Sequence, residues 1–188
     1  MPNWVVNKLT LKHKNVNKIL EKYLSEGKNG SFDFDFNKII KMPEELANTE
    51  VSSRTPKEVY EHNKQTYGYE SWYDWACDNW GCKWNASRTD ITIDSEDTII
   101  VYFDTAWSPS IKAIEKLHKL EPDMFIEHRY SEEQTTYWEG FITYDKDSIT
   151  KCEYEEGSKE AFENHFDLWG ESEYYEWDEQ KGTYVYVG

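Results

Sequence analysis

The segment Ser71–Ala86 carries four of the nine tryptophans in the chain and restricts the fold more than any other stretch. Trp72, Trp75 and Trp80 recur at the spacing of one face of an α-helix. Gly81 follows at a position where helices commonly end, because glycine adopts the left-handed conformation at little cost. Since large rings mostly serve burial, the segment predicts an aromatic core, and a binding groove is the alternative.

Length and charge limit the classes of function open to the chain. Its 188 residues predict a single domain over residues 1–188, and an aromatic content of 16% excludes a disordered acidic chain. The 21 basic and 37 acidic residues give a net charge of −16. Such a charge disfavours direct binding to nucleic acid or to an anionic membrane, whereas a basic partner protein is permitted.

The chain contains no run of about 18 apolar residues, so we expect no transmembrane helix. Polar residues interrupt the first eleven positions, which predicts the absence of a signal peptide. The three cysteines, Cys77, Cys82 and Cys152, include no C-x-x-C pair, which is typical of reduced thiols in a cytoplasmic protein.

Hydrophobic periodicity predicts a mixed order of strands and helices. The predicted strands are residues 4–11, 32–36, 98–104, 124–130, 136–144 and 149–155, followed by a closing hairpin of residues 174–177 and 183–187. The predicted helices are residues 16–24, 57–64, 72–80, 109–120 (with Ser108 as its cap) and 158–169. This order predicts an α+β fold with a ferredoxin-like antiparallel sheet and packed helices, a Trp-rich helical insertion over 56–82, and a C-terminal helix plus hairpin.

Four motifs stand in a fixed order along the chain. They are MPNW-x-x-N-x-L at 1–9, FNKIIKMPEEL at 36–46, WYDW with NWGCKWNA within 72–86, and FDTAWSPS at 103–110. In this order they resemble the ferredoxin-like family typified by the plasmid protein YubB and the Api-type proteins of phages and symbiont plasmids. The resemblance spans roughly the first 130 residues and covers the acidic tail beyond Tyr154 less well. It implies a ferredoxin-like fold and an origin in a mobile genetic element, and it implies no enzyme activity.

The sequence gives only weak evidence for catalytic groups. Glu132 with Glu133, and the acidic turn at 94–97, could supply paired carboxylates, but such pairs arise by chance in a chain with 37 acids. The five histidines lack metal-site spacing, no phosphate-binding glycine motif occurs, and His165 is interpreted as a packed, hydrogen-bonded residue. We therefore expect no enzyme activity, no cofactor and no metal; the sequence also lacks the four cysteines of an iron–sulfur cluster.

Lys83 and Asp104 are expected to form a structural contact between two of the motifs. The alternative is a small polar pocket rimmed by Trp80, Trp84 and Trp107.

Acidic residues concentrate in the C-terminal extension, defined as residues 150–188. Residues 145–188 carry four bases and thirteen acids, a net charge of −9, and aromatic residues are interleaved among the acids. Closely spaced carboxylates could compete for a groove that binds phosphates, and tyrosine and tryptophan often anchor interfaces. The candidate partner-binding residues are Glu155, Glu156, Glu171, Glu173, Tyr175, Glu176, Trp177 and Asp178. A solvated face of an acidic protein is the alternative.

Three functional hypotheses follow. The first is a non-enzymatic inhibitor of a basic nucleic-acid-binding host protein, such as an anti-CRISPR-type inhibitor that blocks the DNA or RNA groove of a Cas effector. The second is a structural or regulatory adaptor that binds a protein through its sheet or Trp-rich groove. The third is a metal-dependent nuclease with an unrecognised carboxylate site.

Overall fold

The computed structural model describes residues 2–27 and 30–188. The strands are β1 (Trp4–Lys12), β2 (Leu24–Glu26), β3 (Phe32–Phe34), β4 (Ser87–Ile93), β5 (Thr98–Ala106), β6 (Phe125–Glu132), β7 (Glu139–Asp145), β8 (Ser148–Glu153), β9 (Tyr175–Asp178) and β10 (Thr183–Tyr186). The helices are α1 (Val16–Glu21), α2 (Glu44–Ala47), α3 (Lys57–Tyr67), α4 (Trp72–Asn79), α5 (Ile111–Leu120) and α6 (Lys159–Trp169), with a short 3-10 helix at Phe36–Lys38. The predicted α+β class is confirmed. None of the helices in the described residues is long and apolar enough to cross a membrane.

Six strands form one antiparallel sheet in the order β4-β5-β1-β6-β7-β8. β1 lies in the interior, where it pairs with β5 on one side and β6 on the other. Its residues alternate between a buried and a half-buried face, as the two-residue period of a strand requires. Val5, Leu9 and Leu11 point into the hydrophobic core together with residues of α1 and α5. The opposite face of the sheet carries Lys8 and Arg129 and is covered in part by α6.

The tryptophan segment divides between the core and the surface. Trp80 is 4% exposed; its ring packs 5.3 Å from that of Trp75 and 5.8 Å from Phe36, and its Nε1 donates to the Ile40 carbonyl at 3.0 Å. Phe103 is fully buried beside Phe36, at 5.7 Å between ring centroids. The tryptophan spacing and the apolar strand over residues 98–104 predict that Trp80 and Phe103 are buried, and the structure confirms this.

Trp84 departs from the predicted core, whereas Trp72 lies at its edge. Trp72 is partly buried and packs against the core, with its ring edge-on to that of Tyr73. Trp84 is 39% exposed, because it follows the end of α4 on a loop.

Several helix boundaries differ from the sequence prediction, and the differences at α1 and α5 have a clear cause in the structure. α1 ends at Glu21 because Leu24 pairs with Phe34 in the small β2–β3 ribbon. Ser108 does not cap α5, since its Oγ donates to the Gly81 carbonyl at 2.7 Å and the helix begins at Ile111.

A network of buried, hydrogen-bonded side chains links β1, β5 and β6 in the interior. Asn7 donates through Nδ2 to Thr105 Oγ1 at 2.9 Å and accepts through Oδ1 from His128 Nε2 at 2.9 Å. Burial lowers the pKa of His128 to about 3, because a charged imidazole would lose its hydration there.

We expect Trp80→Ala to lower the free energy of unfolding by about 3–5 kcal/mol, as deletions of large core aromatics do. Trp107→Ala is the matched control, because Trp107 is 58% exposed and its loss should cost less than about 1 kcal/mol. Chemical denaturation of the two variants checks this. Equal stability losses would contradict the assignment of Trp80 to the core.

His128 should make stability depend on pH between its unfolded and folded pKa values, about 6.5 and about 3. In this window the unfolded chain binds a proton that the native chain does not. The contribution of His128 to the free energy of unfolding is therefore fully present above pH about 6.5. It falls with decreasing pH, by up to about 1.4 kcal/mol per pH unit. Unfolding experiments from pH about 6.5 to 5 should show a smaller slope for His128→Gln than for the unsubstituted chain. An unchanged slope would contradict the neutral, buried state of His128.

Candidate functional site

A buried carboxylate fastens α6 to the sheet. Glu139, at the start of β7, is 1% exposed. Its Oε1 accepts from Ser131 Oγ at 2.7 Å and from His165 Nδ1 at 3.0 Å, and its Oε2 accepts from Asn164 Nδ2 at 2.6 Å. A buried carboxylate is tolerated only when hydrogen bonds replace its hydration, so these donors fix the position of α6. The interpretation of His165 as a packed, hydrogen-bonded residue is confirmed.

Contacts at the edge of α6 strengthen this attachment. Asp167 accepts from Lys8 at 3.0 Å and from Arg129 at 3.2 Å, and the two cations come from adjacent strands, β1 and β6. The indole of Trp169 donates to the Ser131 carbonyl at 3.2 Å. These bonds bind the last turn of the helix to the sheet.

The β9–β10 hairpin packs on the outer side of α6 through an aromatic cluster. The Phe162 ring lies 5.1 Å from that of Tyr175 and 5.2 Å from that of Tyr184. Tyr184 also contacts Phe166 at 5.2 Å and Trp177 at 5.3 Å. The hairpin is thereby attached to a helix that is itself attached to the sheet.

The candidate acids lie on the connections and the outer surface of this assembly. Glu155 and Glu156 lie between β8 and α6, Glu171 and Glu173 between α6 and β9, and Glu176 on β9. All five side chains are exposed, and within the described residues none of them forms an ion pair.

The remaining three candidates have structural contacts of their own. Tyr175 and Trp177 are half-buried and face α6, whereas Glu176 between them points to the other side of the strand. Asp178 accepts from the backbone N–H groups of Lys181 at 3.1 Å and Gln180 at 2.9 Å, which shapes the turn of the hairpin. The hydrogen bond from the Lys181 backbone holds the pKa of Asp178 below its usual value. The five acids, more than the two aromatic residues, are therefore exposed on this surface.

The expected contact between Lys83 and Asp104 is wrong. Asp104 forms an ion pair with Arg88 instead, because Ser87, next to Arg88, lies opposite Asp104 in the β4–β5 register. Burial raises the pKa of Asp104 despite the nearby Arg88. Lys83 lies over three aromatic rings, those of Trp84, Trp107 and Tyr73. The alternative prediction is a polar pocket rimmed by Trp80, Trp84 and Trp107. Trp80 is buried in the core and does not line the surface around Lys83, so that prediction is wrong for Trp80.

The paired carboxylates considered for catalysis have structural partners. Glu132 is buried and accepts from Asn3 Nδ2 at 2.6 Å and from the Gln134 backbone at 2.7 Å. Glu133 accepts from the Trp4 backbone at 3.0 Å. In the acidic turn, Asp97 accepts from Ser95 and Thr98. Nowhere in residues 2–27 and 30–188 do three or more His, Cys, Asp or Glu side chains gather as metal ligands would.

The three cysteines are free thiols. Cys82 is buried, and burial raises its pKa, which keeps the thiol protonated and unreactive.

A groove of about 470 Å³ lies between α1, the β2–β3 ribbon and the end of β4. Its walls are mainly apolar, from Leu20, Leu24, Phe32, Ile91 and Ile93. Among the described residues that line it, Asn17 and Glu21 are the polar ones, and two such groups do not mark the groove as a site for chemistry.

Comparison with known proteins identifies a related family. The family model described as the ferredoxin-like domain in Api92-like protein matches residues 79–186, which is more than half of the chain. The crystal structure of a protein api92 from Yersinia pseudotuberculosis is similar with a TM-score of 0.49 and 11% identity, over 82% of this chain and 99% of that chain. No curated protein matches the sequence. The family match confirms the predicted ferredoxin-like fold, and it includes the tail beyond Tyr154, which the sequence motifs covered less well.

Replacing Asn164 by Ala should loosen α6, because Glu139 loses one of its donors in a buried site. We expect a stability loss of about 1–3 kcal/mol, with faster amide hydrogen exchange in α6 and the hairpin than in β1. Glu163→Ala is the matched control, because this residue lies on the exposed side of the same helix. Equal exchange rates in the two variants would contradict the role of Glu139 as the anchor of α6.

Proposed function

The chain belongs to the family of Api92-like proteins with a ferredoxin-like domain, and from this premise we propose that it is a non-enzymatic binding protein. Its acidic C-terminal extension would contact the basic nucleic-acid groove of a host protein. The observation that carries the proposal is the set of exposed, unpaired carboxylates Glu155, Glu156, Glu171, Glu173 and Glu176 on a firmly attached support.

Attachment matters because a flexible acidic tail would lose conformational entropy on binding. Here Glu139 fixes α6, and the aromatic cluster fixes the hairpin on α6. The acids are thus presented with little ordering left to occur. Duplex DNA carries a negative charge about every 1.7 Å along its axis, and a protein groove that neutralises phosphates can accept carboxylates instead.

In its most specific form, the proposal is an anti-CRISPR-type inhibitor of a Cas nuclease, encoded by a phage or plasmid and acting in the host cytoplasm. The partner chemistry follows from the charge: a net of −16 favours a basic protein over free nucleic acid. A non-catalytic role is supported by the carboxylates of Glu132, Glu133 and Glu139, which hydrogen bonds within the chain occupy.

An adaptor function through the tryptophan-rich region is the second candidate. The observation that favours it is the exposure of Trp107, whose side chain contributes little to the core.

The triple variant Glu171→Gln, Glu173→Gln and Glu176→Gln should reduce the association rate with the partner by about tenfold, because exposed charges act mainly on encounter. Asp178 stays unchanged, because it shapes the turn of the hairpin. The matched control replaces Glu21 and Glu26 by Gln, which removes exposed acids outside the extension.

Biolayer interferometry at several salt concentrations provides the measurement, first with a guide-loaded Cas nuclease and then with proteins captured from host lysate. Binding of the unsubstituted chain should weaken steeply with salt, because exposed charges are screened over about 8–10 Å. If the affinity for the partner changes neither with salt nor with the triple substitution, binding of the acidic extension to a nucleic-acid groove is contradicted. The adaptor function is then favoured.

A further inference from the structure

A second surface of the chain has chemistry opposite to that of the acidic extension. It consists of Tyr73, Lys83, Trp84 and Trp107, here called the Lys83 patch. The Lys83 Nζ lies 4.6 Å from the ring centroid of Trp84, 5.6 Å from that of Trp107 and 5.8 Å from that of Tyr73. Tyr73 and Trp84 are exposed, and Trp107 more so. Aromatic residues around a cation are frequent at the energetic centres of protein interfaces.

The backbone holds the patch in place. Trp107 adopts φ 78°, a left-handed conformation that is rare for a bulky residue, and its N–H donates to the Asn3 carbonyl at 2.9 Å. Ser108 Oγ donates to the Gly81 carbonyl at 2.7 Å, which ties the Trp107 loop to the loop that carries Lys83. Strained backbone of this kind persists only where the surroundings enforce it, and it concentrates at binding and catalytic sites.

The strain at Trp107 does not serve the core, because the indole is turned outward. A side chain held rigidly in solvent loses little conformational freedom when a partner covers it. The patch is therefore suited to binding a partner without rearrangement.

The charge of the patch specifies the partner. Lys83 is half-buried, and within residues 2–27 and 30–188 it forms no ion pair. The carboxylates on neighbouring elements are engaged elsewhere: Asp104 by Arg88, Asp78 by Lys112 and Tyr69, and Asp74 by Ser71. The Lys83 ammonium thus retains its capacity to bind an anion.

We propose that the Lys83 patch binds an acidic segment of a partner protein. An Asp or Glu of that segment would accept from the Lys83 ammonium, and an adjacent apolar side chain would cover the rings of Trp84 and Trp107. This surface is additional to the acidic extension and attracts the opposite charge.

Nucleic acid fits the Lys83 patch less well than a protein segment does. Each nucleotide adds a phosphate, whereas the nearby cations Arg88 and Lys112 are already paired, with Asp104 and Asp78 respectively. A single carboxylate beside an apolar side chain matches what the patch offers.

The test begins with short random peptides displayed on phage and selected against the immobilised full chain. We expect enrichment of sequences with Asp or Glu beside an apolar residue. An enriched peptide is then synthesised with its Glu and with Gln at the same position, and the affinity of each is measured by fluorescence polarisation. The unsubstituted chain should bind the Glu peptide about tenfold more tightly, and Lys83→Met should abolish that preference while keeping the packing of the stem.

Trp107→Ala should lower the affinity for both peptides by about tenfold or more, as the loss of an interface aromatic does. Tyr137→Ala, which removes an exposed ring outside the patch, should leave both affinities unchanged. Near-ultraviolet circular dichroism of each variant reports whether it is folded. Failure to enrich acidic peptides, equal affinity of the Glu peptide for Lys83→Met, or Trp107-dependent binding of a labelled oligothymidylate in place of peptide would each overturn the proposal.

Discussion

The arrangement of the C-terminal half depends on the burial of one carboxylate, that of Glu139. A carboxylate removed from water costs several kcal/mol unless hydrogen bonds replace its hydration. The replacements come from Ser131 on the neighbouring strand and from Asn164 and His165 on α6. Because the two helical donors are adjacent in sequence, they set both the rotation of α6 and its position along the strand. The side of the helix that carries Phe162 and Phe166 then becomes the platform for the hairpin.

This constraint connects the fold to the proposed binding surface. The exposed acids lie on β9 and on the connections that enter and leave α6, and they inherit its fixed position. Loops on a rigid scaffold are a common place for binding residues. The Lys83 patch follows the same rule with the opposite charge, since its two loops are tied by the Ser108–Gly81 hydrogen bond. The two surfaces together support the proposal that the chain acts by binding other proteins.

Periodic patterns predicted most of the elements, whereas isolated contacts between distant residues were predicted poorly. The helix predicted over residues 158–169 and the burial of Trp80 follow from local spacing, which the sequence displays. Glu139 gave no such signal, because an acid at the start of a strand usually faces solvent and its donors lie eight to twenty-six residues away. The Lys83–Asp104 prediction failed for a related reason. The register between β4 and β5 determines which basic residue lies near Asp104. No local sequence pattern indicates that this residue is Arg88.

A competition experiment tests the central claim that the acidic extension occupies a nucleic-acid groove. A guide-loaded Cas nuclease, or the partner captured from host lysate, is first bound to a fluorescent DNA duplex, and the chain is then added while anisotropy is recorded. The account predicts that the duplex is released to its free anisotropy, and that the Glu171, Glu173 and Glu176 triple Gln variant requires a much higher concentration. A stable ternary complex, with the duplex still bound while the chain saturates the partner, would contradict it.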